Sequence, residues 1–254
     1  MTTPAAQFER ELEVFRTESE AGTQFFYAYL AVHAVAADHE PVYKLLNHAA
    51  LFWNTSLGAL QTAAFIALGS VFDQNSAHNL DKVVRIAQDN AQIFSKAALG
   101  RRKQGGNPEP PEWLNEYLRD AYEPTPIDFR RIRAHIRKRR KVYENNYREL
   151  RHKVFAHKEV SNSAETAALF GKTNIRELQR MFAFLGSLHE ALWQLFFNGQ
   201  KPVLRPLRYS VKRMRDLPSP ALREKTVQER ITREAEKFLL SAASVTALDT
   251  RRTL

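Results

Sequence analysis

Apolar residues return every three or four positions over long stretches of this chain and nowhere alternate as they would along a half-buried strand. From Gln7 to about Ala37, Phe8, Leu12, Phe15, Phe25, Phe26, Tyr29 and Leu30 keep helical spacing with acidic side chains between them, and Pro41 marks a break. The spacing predicts a second helix over Val42 to Phe72, carried by Leu45, Leu46, Ala49, Phe52, Trp53, Leu57, Leu60, Ala64 and Leu68. A loop in "DQNSAHN" follows, then a third helix over Asp81 to Leu99 with Gly100 as its stop. Between residues 100 and 125, Gly and Pro cluster at both ends of one short helical piece, which reads as a surface excursion.

"TPIDF" restarts the chain as a helix. Thr125 suits the N-cap, Pro126 the first helical position, and Asp128 places a carboxylate at the third. Ile132, Ile136, Tyr143, Tyr147, Leu150 and Val154 form the apolar stripe of this long helix, and arginines lie around the rest of its circumference. A last core helix has Asn174 and Glu177 at capping-box spacing, Leu178, Phe182, Leu185, Leu188, Leu192 and Leu195 in period, and Gly199 at its end. Beyond Lys201 the chain is rich in Pro and Arg and then gives one amphipathic helix from about Pro220 to Leu240. The expected class is all-α: a helical bundle over residues 1–200 with a basic C-terminal helical extension, 201–254, that leaves the bundle at Gly199. The extension's apolar stripe needs a partner, which the acidic body or a second subunit would supply.

At 254 residues and 44% hydrophobic content the chain can bury a sizeable core. Its net charge of +10 favours a polyanionic partner, and the distribution says more than the total. Residues 129–158 carry twelve Lys and Arg against two Asp and Glu, and residues 201–254 carry thirteen against six, leaving the remainder net acidic. With no cysteine, disulfides, thiolate metal sites and cysteine nucleophiles are excluded. The acidic amphipathic N-terminus is unlike a signal peptide. The two most apolar stretches are interrupted by His33 or by Gln61 and Thr62, short of the roughly 18 apolar residues of a membrane span. A cytoplasmic protein with no membrane partner is the expectation.

The stretch "LRHKVFAHKEV", residues 150–160, carries the candidate chemistry. An Arg neutralises a phosphate in forked geometry, and a His moves the proton of a ribose 2'-hydroxyl or of the leaving oxygen, so Arg151 and His157 together could cut RNA with no cofactor or metal. Spacing alone is weak, since Arg130 and His135 fit the same pattern. In a straight helix six steps give about 9 Å of rise and about 240° of rotation, which keeps the two from sharing one phosphate. Either the helix breaks between them or two chains contribute around a twofold axis.

The run "ELRHKVFAHKE" resembles the Arg-x4-to-6-His motif of the HEPN superfamily, and "FWNTSLGALQTAAFIALGSVFDQNSAHNLDKVVRIAQD" is similar to the second and third helices of its AbiU-like abortive-infection branch. The resemblance covers roughly Gln7 to Gly199. It implies an antiparallel helical bundle that dimerises across the motif and, in active members, a metal-independent endoribonuclease of a defence or toxin-like system, for which an antitoxin protein would be a further partner. By the same resemblance Arg151 would hold the scissile phosphate, His157 would act as general acid or base, and His152 would occupy the polar second position, where Asn is commoner.

The plainer readings stand beside these. Arg151 can be one more solvated cation, and some members of the superfamily bind nucleic acid or proteins without cutting, so a non-catalytic binding module is the alternative. Arg130, Arg131, Arg133, Arg137, Lys138, Arg140 and Lys141 are the candidate RNA contacts, because crowding like charges on one helix calls for a counter-charge. Tyr143 and Tyr147 could stack on bases, but both fall on the apolar stripe and are assigned to the core. His33, His48, His78 and His189 carry no signature of a site, and His135, among arginines, reads as a surface residue or phosphate contact.

Overall fold

A computed structural model of the chain describes residues 2–156, 171, 173–216 and 226–252. Among these there is helix and no strand. The chain forms two compact units, one of residues 1–19 and 68–207, the other of residues 20–67 and 208–254, with the boundaries falling inside the helices α1 (Pro4–Asp38) and α3 (Ala50–Phe72).

In the first unit, α4 (Leu80–Asp89), a 3-10 turn (Ala91–Phe94), α5 (Lys96–Gln104), α6 (Leu114–Asp120), α7 (Pro126–Asn146) and α9 (Ile175–Asn198) surround an aromatic core. Phe8 meets Phe94 at 5.1 Å and Phe196 at 5.0 Å between ring centroids, and Phe129 closes on Phe94 at 5.7 Å. Tilted and edge-to-face geometry suits the ring quadrupoles. Arg102 lies 4.0 Å over the Phe196 ring and donates to the Ile93 and Phe196 carbonyls at 2.8 and 2.7 Å. It thereby satisfies helix-end carbonyls that would otherwise be orphaned. Glu11, fully buried, is held by His78 at 2.8 Å and Lys82 at 3.0 Å. His78 thus has a carboxylate partner 67 residues away, which local spacing does not reveal.

The expected helix over Asp81 to Leu99 is interrupted. α4 ends at Asn90, and Ser95 caps a new start by accepting the Ala98 amide hydrogen, so Gly100 lies inside α5 and Gly105, with φ 60°, is the stop. The start of α7 follows expectation: the Asp128 carboxylate accepts from the Thr125 backbone N–H and hydroxyl at 2.8 Å each, and from the Tyr122 hydroxyl at 2.7 Å. At α9 the Asn174 side chain caps as expected, but Glu177 turns to Tyr147 and Asn146 and leaves the capping box. Gly199 ends α9 at φ 59°, and a Cβ there would lie 2.6 Å from Leu99 and 2.9 Å from Ala121, so both backbone and space require glycine.

The second unit contains α2 (Glu40–His48), α10 (Val211–Asp216) and α11 (Val227–Arg252) with parts of α1 and α3. The single helix expected over Val42 to Phe72 is two, because the backbone breaks at Ala49, and Pro41 sits in the first turn of α2, where its missing N–H costs nothing. The tail helix runs from Val227, while the start expected near Pro220 lies outside the described residues, and it packs on α2: Leu239 and Ala243 share a core with Val32, Val35 and Val42. Arg215 fastens the unit, pairing with Asp38 at 2.6 Å and Glu236 at 2.7 Å and donating to the Ala34 carbonyl at 3.2 Å. Contrary to the count of apolar residues, α3 is long and apolar enough to cross a membrane by length and composition, with a mean hydropathy of 1.4, although 44% of that window is buried within the protein.

Candidate functional site

α7 ends at Asn146 because Tyr147, at φ −124° and ψ −24°, leaves helical geometry. A single turn, α8 (Arg148–Leu150), leads into a π-helical stretch over Arg151–Ala156. π-turns inside helices recur at functional sites, and the straight-helix geometry assumed for this motif does not hold over Arg151–Ala156. His157 itself lies outside the described residues.

Two buried tyrosines hold this break in place. Tyr143 stacks on Phe72 at 5.8 Å, and the Tyr147 hydroxyl donates to Glu177 at 2.6 Å. Both are fully buried, as assigned to the core, and burial pushes the Tyr143 hydroxyl up to about 12. Burial is also the main reason that Tyr147 resists ionisation, reinforced by the Glu177 carboxylate.

Asp73 is the residue that the sequence reading missed. It follows the last turn of α3, donates its backbone N–H to Gly69, and accepts the Asn75 amide hydrogen on Oδ1 at 3.2 Å, an Asx-turn. Its Oδ2 lies 3.0 Å from Arg151 Nη1 and 3.4 Å from His152 Nε2. Burial alone would raise its pKa, but the Asn75 amide, the nearby Arg148 charge, His152 and Arg151 outweigh it and hold the carboxyl below its ordinary value. Arg151 Nη1 and His152 Nε2 are themselves 3.3 Å apart. One carboxylate therefore draws two of the three candidate catalytic residues together. The "FD" pair at the end of the α3 pattern was the available signal; its 78-residue separation from Arg151 hid the contact.

The Arg151 side chain runs against the α3 backbone at Gly69, and a Cβ added there would stand 2.7 Å from its Cζ and closer still to its Nε. A cleft of about 50 Å³ is lined by Phe72, Asp73, Gln74, Asn75, Tyr143, Glu144 and Arg148. Asp73 engages Nη1, and the planar guanidinium has further donors for an anion such as a phosphate.

Of the candidate RNA contacts on α7, Arg130, Arg131, Arg137, Lys138 and Lys141 are exposed and Arg133 is half-buried. Arg140 is not part of the solvent-facing set expected from the pattern. It is buried and paired with Asp81 of α4 at 2.6 Å, because its place on the helix turns it toward the α4 interface. His135 is exposed, and His189 is half-buried against Phe15 at 6.2 Å. Among the described residues no three His, Asp or Glu side chains group as metal ligands.

The helical class and the Asp73–Arg151–His152 cluster bear on one family. Residues 5–214 match the HEPN family model described as AbiU2, and the chain belongs to that family. The match runs past Gly199, where the resemblance read from the residues stopped, and reaches into α10. Comparison with curated proteins and with solved structures gave no match.

Proposed function

We propose that this chain is a metal-independent endoribonuclease of HEPN type, cytoplasmic, acting in a defence or toxin-like system as a homodimer with a composite site, and held in check by an antitoxin protein. The ribose 2'-oxygen attacks the adjacent phosphorus and the 5'-oxygen leaves. Arg151 neutralises the charge that builds on the phosphate, and His157 carries the proton from the nucleophile or to the leaving oxygen. Asp73 positions Arg151 and His152. The observation that carries this reading is the convergence of Arg151 and His152 on Asp73 at a π-helical break, in a chain of the HEPN AbiU2 family.

A non-catalytic module that binds RNA or a protein through Arg130 to Lys141 and the tail is the second reading, favoured by the fact that Arg151 already has a carboxylate partner. Incubation of the purified protein with total RNA in EDTA separates the two. Cleavage that survives chelation and disappears in both Arg151→Ala and His157→Ala supports the enzyme. Cutting that persists unchanged in either variant rules out this site, and intact RNA throughout favours the binding module.

A further inference from the structure

A second, larger cleft of about 290 Å³ opens between α4 and α7, lined by Gln74, Asp81, Arg85, Arg133, Arg137 and Arg140. Four of its six residues are arginines and one is a carboxylate. Asp81 is committed to Arg140 at 2.6 Å, which leaves Arg85, Arg133 and Arg137 without an ion pair among the described residues. Arg133 and Arg137 are one helical turn apart on α7 and so project on one face, toward Arg85 of α4. Arg140 Nε, also in the wall, is buried without a hydrogen-bond partner. Three uncompensated guanidinium groups around one concavity repel one another and concentrate a positive potential there, so the missing counter-charge belongs to a ligand.

The lining says which kind. No aromatic or aliphatic side chain faces the cleft, so it has no surface on which a base could stack, and at about 290 Å³ it is at the small end of ligand pockets. Arginine forks without a base-reading wall hold phosphates and carry no sequence information. Position decides the rest: Gln74 lines this cleft and also the small cleft beside Asp73 and Arg148, so one residue borders both.

We propose that Arg85, Arg133 and Arg137 form a phosphate subsite that grips the backbone of single-stranded RNA next to the Asp73–Arg151 cluster and leads the strand past Gln74 to it. The inference rests on the RNA reading above and adds to it Arg85, which lies outside the basic helix, and a division of labour: this cleft binds, and the Asp73 cluster acts.

The test uses the full chain and a single-stranded oligouridine whose 2'-oxygens are methylated, so that it cannot be cut, with binding followed by fluorescence anisotropy over a range of salt. Each phosphate contact on a single strand contributes about 0.7 to the slope of log affinity against log salt. Arg85→Gln/Arg133→Gln/Arg137→Gln should therefore flatten the slope by about 2 and weaken binding more than roughly tenfold at moderate salt. Lys44→Gln/Arg101→Gln/Arg119→Gln, which removes the same charge from exposed positions outside α7 and the tail, should leave the slope within about 0.7 of wild type. If the first triple variant does not fold, as judged by circular dichroism, Arg137→Gln alone should lower the slope by about 0.7. An unchanged slope in the cleft variant, or an equal loss in the charge-matched variant, overturns the subsite while wild-type RNA binding keeps the broader reading. No binding by the wild-type protein overturns both.

Discussion

Gly69 and Arg151 occupy each other's space: the guanidinium lies where a side chain at position 69 would stand, 2.7 Å from Cζ to the site of an added Cβ. Replacing Gly69 with Ala brings two opposed effects. A helix interior gains up to about 1 kcal/mol from Gly to Ala, while Arg151 is pushed off Asp73 and that pairing is lost. Gly69→Ala should thus melt within a few degrees of wild type and yet lose RNA cleavage about as fully as Arg151→Ala. A variant that keeps full activity would show that the position of Arg151 is immaterial to it.

Asp73→Asn should remove the anchor of Arg151 and His152 and cost about 2 kcal/mol near neutral pH, below the range for breaking a fully buried pair because both partners retain some solvent contact. The pH dependence has a definite sign. The folded-state pKa of Asp73 is lowered, so its contribution is complete above the unfolded-state value of about 3.9 and is lost as pH falls through the lower folded-state value. Melting curves of wild type and Asp73→Asn should differ most above about pH 5 and approach each other in acid. A gap that widens as pH falls would contradict the ion-pair account.

Tyr143 and Tyr147 are both fully buried, but their hydroxyls are held differently. The Tyr143 hydroxyl lies near Arg151 without a well-formed hydrogen bond, so Tyr143→Phe should cost less than about 1 kcal/mol. Tyr147→Phe breaks the 2.6 Å bond to Glu177 and should cost about 1 to 2 kcal/mol, since Asn146 still donates to the carboxylate at 2.9 Å. Urea unfolding of the two variants reads the difference, and equal effects would argue against it.

On α11, Leu239 is 1% exposed and its neighbour Phe238 is 63% exposed. Leu239→Ala should cost about 2 to 5 kcal/mol by opening a cavity against Val32, Val35 and Val42, whereas Phe238→Ala should stay within about 0.5 kcal/mol. Removal of residues 226–254 should then lower thermal stability more than either. If the truncated protein melts like wild type, α11 contributes nothing by docking on α2.

Periodicity revealed the helices because the apolar stripe of each is a local property: Leu178 to Leu195 in α9 and Ile132 to Leu150 along α7 and α8 were assigned to the core from spacing alone. The same signal passed over the breaks at Ala49, Asn90 and Tyr147, where the stripe continues although backbone geometry does not. Arg151 and His152 were legible through a motif. Asp73 was not, nor was Arg140 as a buried cation, because each is defined by a partner on another helix. Their roles come from packing, which a window of neighbouring residues does not contain.

The second unit draws its helices from residues 20–67 and 208–254, and the intervening 68–207 belong to the first. During synthesis, at about 5–20 residues per second, the apolar α3 segment therefore waits on the order of ten seconds before Arg215 and Leu239 leave the ribosome to complete its unit. Throughout that interval Val32, Val35, Val42 and Trp53 lack their α11 cover, which leaves exposed apolar surface of the aggregation-prone kind. Ribosomes that stall before codon 226 would release a protein with its motif present and one unit unfinished, so the quantity of competent protein in a cell should follow the completeness of translation more steeply than the quantity of message.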